Sequence, residues 1–144
     1  MSGSLTLDSS TGEWSYTPNA NFHGTDSFTL SATDDLEVTT QQEITVTVGA
    51  VDDPAIFSDG TTGSGDEDKT VSGTIVATDI DGTTLGFNFS INTNPSSGTV
   101  TIVSDNGNWT YTPNPNFYGN DSFVVTLTDD LGGTTNQTVT VTII

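Results

Sequence analysis

Cysteine is absent from the 144 residues, which excludes disulfide frameworks, thiolate zinc sites and thiol nucleophiles. Arginine is absent too. Lys69 stands alone against 19 acidic residues, giving a formal net charge of −18. Such a chain has almost nothing with which to neutralise phosphates, so neither nucleic acid nor an anionic membrane is expected as a partner. It also repels copies of itself unless a cation intervenes, and carboxylates favour a hard divalent cation such as calcium. Histidine occurs once, at His23. Without cysteine and without a Ser–His arrangement, nucleophilic catalysis has no parts, and the chain reads as not an enzyme. No apolar run approaches the ~18 residues of a membrane span, so no direct membrane insertion is expected. Met1-Ser2-Gly3-Ser4 is no signal peptide; an export signal would lie outside these residues.

Low hydrophobic content, 31%, combined with high acidity can signal disorder. Internal order argues otherwise. Ser2 through Val48 aligns without a gap on Ser97 through Ile143, at an offset of 95 positions. Trp14, Tyr16, Thr17, Pro18 and Asn19 fall on Trp109, Tyr111, Thr112, Pro113 and Asn114. Asp26-Ser27-Phe28 falls on Asp121-Ser122-Phe123, and Thr33-Asp34-Asp35-Leu36 on Thr128-Asp129-Asp130-Leu131. Self-similarity at this spacing marks a repeat unit. The stretch from Ala50 to Pro95 has no counterpart, so residues 1–49 are expected to be the second half of one repeat. Residues 50–54 then form a linker and residues 55–144 a complete repeat.

Apolar residues in the second unit alternate with period two, the pattern of half-buried strands. Val71, Gly73, Ile75 and Ala77 share one face, as do Leu85, Phe87, Phe89 and Ile91. Val100 and Ile102, Trp109 and Tyr111, Phe123 to Leu127, and Val139 to Ile143 continue the series, and Ala55-Ile56-Phe57 opens it. Turn chemistry separates them at Asp81-Gly82, Asn94-Pro95, Asn106-Gly107, Pro113-Asn114-Pro115 and Gly132-Gly133. Seven short strands in one repeat predict an all-β, Ig-like antiparallel β-sandwich, which averages ~100 residues.

Several motifs in fixed order resemble the cadherin-like, VCBS-type tandem repeats of large secreted bacterial RTX-type adhesins. They are Glu67-Asp68, the run Gly73 to Gly82 ending in Asp79-Ile80-Asp81-Gly82, Trp109-Thr110-Tyr111-Thr112-Pro113-Asn114, Asn116 to Phe123, and Thr128-Asp129-Asp130. The linker Val51-Asp52-Asp53-Pro54 completes the set. The resemblance implies an extracellular or bacterial cell-surface stalk of repeats, often with calcium at the joints, holding a distal ligand-binding tip. It implies a role in adhesion or biofilm formation, with neighbouring repeats of the same chain as partners.

The best candidate metal ligands are Asp79 and Asp81. With seven antiparallel strands, the loops after the second and sixth strands lie at the linker end. This places Asp79 and Asp81 with Asp129 and Asp130, beside Asp52 and Asp53. Asp26 of the first half is expected to face the same joint. Glu67, Asp68 and Asp121 are expected at the opposite end, as half of a further joint. Calcium takes 6–8 oxygens, which this set can supply. The other reading is that these aspartates only cap turns.

Trp14, Tyr16, Trp109 and Tyr111 are expected in the core. They would serve instead as a sugar-stacking platform if the chain were a carbohydrate-binding adhesin domain or an accessory module of a secreted enzyme. Finally, the unpaired half leaves an apolar face and bare strand edges. Self-association through residues 2–49 is therefore expected.

Overall fold

The computed structural model describes residues 1–80 and 86–144. The Asp81-Gly82 turn and Leu85 lie outside the described residues. The chain divides into two compact units, Met1–Val51 and Asp52–Ile144.

The first unit contains four strands: β1 (Gly3–Leu7), β2 (Trp14–Pro18), β3 (Gly24–Thr33) and β4 (Thr39–Val48). They form two antiparallel hairpins, with Gly3 opposite Pro18 in one and Gly24 opposite Val48 in the other. Turn geometry follows the sequence. Gly12 and Gly24 take positive φ at no steric cost, and Asn21 and Glu37 adopt it as well.

The second unit contains β5 (Ile56–Asp59), β6 (Thr62–Gly65), β7 (Val71–Thr74), β8 (Val76–Thr78), β9 (Asn88–Thr93), β10 (Gly98–Ile102), β11 (Asn108–Pro113), β12 (Gly119–Thr128) and β13 (Thr134–Ile143). One layer has the order β10-β11-β7 and the other β6-β13-β12-β9, with β5 paired to β8. The fold is all-β, and the two layers close on a single core. Trp109, Tyr111, Phe123, Val125, Leu127, Val139 and Val141 are essentially inaccessible, and Phe87, Phe89, Val71 and Ile75 pack with them. The period-two alternation of the sequence thus becomes an inner and an outer face. Trp109 meets Phe123 edge-on at 5.4 Å between ring centres, a favoured aromatic geometry.

The last four strands reproduce the first four. Gly98 lies opposite Pro113 and Gly119 opposite Ile143, the registers of the first unit displaced by 95 positions. Trp14 and Phe28 repeat the edge-on contact at 5.1 Å.

Two strands differ from the expected seven. The opening strand is broken at Gly60 and resumes as β6, which runs parallel to β13. Gly60 has φ +76°, and a β-carbon there would strike the Thr74 carbonyl, so the chain turns from one sheet to the other. Thr-Gly-Ser-Gly carries no apolar signal, which hides β6 in the sequence. Glycine is nevertheless required there, because side chains at Gly63 and Gly73 would collide with the Trp109 ring. The second strand is broken at Ile75, whose N–H donates to the Gly107 carbonyl. Its halves β7 and β8 therefore pair with β11 and β5 respectively.

Candidate metal centre

β12 ends in the turn Asp129 to Gly133, and the Asp129 carboxylate organises it. Its Oδ1 accepts the N–H groups of Leu131 (3.1 Å) and Gly133 (2.7 Å). Asp34 does the same in the first unit, accepting from Leu36 and Val38. The capping reading therefore describes one oxygen of Asp129. The other oxygen, Oδ2, is buried and meets no hydrogen-bond donor among the described residues, and Asp129 as a whole is only 5% exposed. An unsatisfied buried carboxylate oxygen is costly.

That oxygen points into a cluster of like charge. Carboxylate oxygens of Asp79, Asp129 and Asp130 lie within 4.8 Å of one another. Asp52 joins them: its Oδ2 and Asp129 Oδ2 each approach within 2.5 Å of the point where a β-carbon on Gly133 would stand. Gly133 is thus needed for the space it leaves between two carboxylates. Desolvation by the surrounding protein, then repulsion from Asp129, Asp79, Asp53 and Asp130, pushes the exposed Asp52 carboxyl up from its ordinary value. The donors are all hard oxygens at the spacing that ligands of one Ca²⁺ adopt, since 2.3–2.6 Å bonds keep neighbours within ~5 Å. The residues present fit such an ion.

Asp121, Asp26, Asp68 and Glu67 make contacts of their own within their units. Asp121 is buried, 7% exposed, and clamped: its oxygens accept the N–H groups of Ser96, Ser97 and Ser122, the Ser96 hydroxyl and, at 2.9 Å, the Tyr111 hydroxyl. Burial alone would raise its pKa, but the Ser97 and Ser96 N–H groups, the phenol and the Ser122 N–H outweigh it and hold the carboxyl below its ordinary range. Asp26 has the same bonds from Ser2 N–H, Tyr16 hydroxyl and Ser27 N–H within the first unit. Both carboxylates are occupied in holding their own hairpins together. Asp68 takes positive φ and accepts the Asn116 N–H at 3.0 Å, while the Glu67 N–H donates to the Ile144 carbonyl. Asp81 lies outside the described residues. The Tyr–Asp clamp escapes the sequence reading, although its signal is present: Tyr16 precedes Asp26 by ten positions, as Tyr111 precedes Asp121.

Comparison with known proteins places this geometry in context. Residues 52–142 match the family model described as bacterial Ig domain, and residues 1–50 match the model described as bacterial cadherin-like domain. No curated protein sequence matches the chain. Among solved structures, the extracellular domain of protocadherin GammaB4 is similar at TM-score 0.69 and 23% identity, over 99% of this chain and 25% of that one. Protocadherin Gamma B2 cadherin domains 1–5 give 0.67 and 17% over 100% and 31%, and the human desmocollin-1 ectodomain 0.52 and 16% over 93% and 29%. The chain therefore spans about a quarter to a third of these structures, which share its fold. With its larger unit matched almost end to end, the chain belongs to the bacterial Ig domain family, with a cadherin-like segment ahead of it.

Proposed function

We propose that this chain is a spacer segment of a secreted bacterial cell-surface adhesin, and that calcium stiffens it. Asp79, Asp129, Asp130 and Asp52 would hold the ion, with Asp53 and Asp81 as the remaining carboxylates of the set. The observation that carries this is the buried Asp129 Oδ2, which meets no donor among the described residues and faces other carboxylates. Without a cation, the cluster is a knot of repelling charges. With one, the repulsion becomes cross-linking between the start of the second unit and two of its loops. A net charge of −18 suits a chain outside the cell, where calcium is plentiful, and keeps parallel stalks apart. The parent protein would use an array of such modules to carry a ligand-binding tip in adhesion or biofilm formation. A sugar platform finds less support in the second unit, where Trp109 and Tyr111 are buried.

Extracellular modules bind calcium at ~10⁻⁴–10⁻³ M. At about ten times the dissociation constant, one site adds roughly 1.4 kcal/mol. For a domain of this size that raises the melting temperature by roughly 6–10 °C. Thermal melts in millimolar calcium and in chelator measure the difference. Superimposable curves would remove the calcium from the proposal.

A further inference from the structure

The first unit has the strands of the second unit's last half but not their cover. In the second unit, three strands from residues 55–96 close three edges: β7 lies antiparallel to β11, β9 antiparallel to β12, and β6 parallel to β13. The equivalent edges, on β2, β3 and β4, have no strand partner beyond their own hairpins among the described residues, because β1-β2 and β3-β4 are two-stranded sheets. The inner face is bare in the same places. Trp14 is 39% exposed where Trp109 is 1%, and Leu7 is 48% exposed. A cleft of about 490 Å³ opens between the hairpins, walled by Leu7, Leu30 and Ala32. At the matching positions Ile102, Val125 and Leu127 join the core, with Phe89 opposite Leu127 in the ladder. Unpaired edges and an uncovered apolar face of this kind are template surfaces.

The second unit also shows what the cover must be. The Trp109 indole N–H donates to the Gly60 carbonyl at 3.0 Å, and its ring lies where Gly63 and Gly73 leave room. The clamp carboxylate points the same way. Asp121 Oδ1 receives the N–H and hydroxyl of Ser96, whereas Asp26 Oδ1 receives only the Ser27 N–H among the described residues.

We propose that residues 2–48 are an acceptor for a segment built like residues 55–96 and joined directly ahead of Ser2. It would supply one strand antiparallel to β2, one antiparallel to β3 and one parallel to β4, with glycines over the Trp14 ring and a carbonyl for its N–H. Specificity lies in those glycines, since a larger side chain there would strike the indole. The inference is independent of calcium.

The full chain extended at its front tests this. A second copy of residues 52–96 takes the place of Met1 and runs directly into Ser2, reproducing the native Ser96-to-Ser97 join. Subtracting the emission of the Trp14→Phe form isolates Trp14. Its iodide quenching is expected to fall to that of a buried indole, residues 2–48 should resist proteolysis, and the chain should be monomeric by light scattering. Changing the added copy's counterpart of Gly73 to valine should undo all three. The competing occupant is a second molecule, face to face. If the unextended chain is a dimer that the extension converts to monomer, the proposal stands. If the extended chain keeps Trp14 accessible, or remains a dimer, the proposal is overturned.

Discussion

Trp109→Ala is expected to destabilise the second unit by about 3–5 kcal/mol, the range for emptying a buried aromatic site. The ring is 1% exposed, meets Phe123 edge-on, fills a slot lined by two glycines and donates its N–H to a backbone carbonyl. The slot cannot close readily over the space left behind, because its glycines have no side chains to move. Against a total stability of ~5–15 kcal/mol, the loss is a large fraction. Trp14→Ala removes the same residue from the equivalent strand, where the ring is 39% exposed. It should cost about 1 kcal/mol or less, as partly exposed positions do. Urea denaturation of both variants checks the contrast. Equal losses would mean that the two halves are equally covered. A negligible loss at Trp109 would return the aromatic pair to the sugar-platform reading.

Asp121→Ala should cost about 3 kcal/mol, because it strands several donors in or near the interior at about 1–3 kcal/mol for each one that is buried. Those donors are the Ser96 and Ser97 N–H groups and the Tyr111 hydroxyl. Tyr111→Phe removes one bond, leaves the others in place, and should cost about 1 kcal/mol. The clamp also sets the pH response. Asp121 is held below its ordinary 3.8, so its contribution is present in full above that pH. It is lost as pH falls through the lower folded-state value. Tyr111 is pushed above its ordinary 10 by burial and by Asp121, so stability should also fall as pH rises beyond 10. Urea midpoints measured across pH should show both limbs in the wild type, and Asp121→Ala should flatten the acid one. An unchanged acid limb would mean that other carboxylates govern acid unfolding.

Strand positions are legible wherever alternating apolar side chains face a core, as in β9 to β13. Glycine hides β6. A strand whose inward positions must be empty to admit Trp109 carries no hydrophobic period, and its need for Gly63 emerges only once the ring is in place. The break at Ile75 is equally silent, because the residue stays inward while its N–H leaves the ladder. At the candidate site, the antiparallel strand count is enough to bring Asp79, Asp129 and Asp130 to one end beside Asp52. It does not divide the work of Asp129 between a capping oxygen and an open one, which depends on where the turn's N–H groups point. Asp26 and Asp121 fall among the metal candidates in sequence because an aspartate beside a turn looks the same whether it faces solvent or a tyrosine. In the structure each accepts a hydrogen bond from the phenol ten positions earlier.

The division of Asp129 between two roles gives the sharpest test. Asp129→Asn keeps an oxygen to accept from Leu131 and Gly133 and replaces the open oxygen with an amide nitrogen that cannot ligate a cation. Calorimetric titration of calcium into the wild type should show one site in the ~10⁻⁴–10⁻³ M range. The Asp129→Asn substitution should abolish the heat while leaving the calcium-free melting temperature unchanged or slightly raised, as one of several repelling charges is removed. A wild type that takes up no calcium, or an Asp129→Asn protein that binds it equally well, would contradict the account.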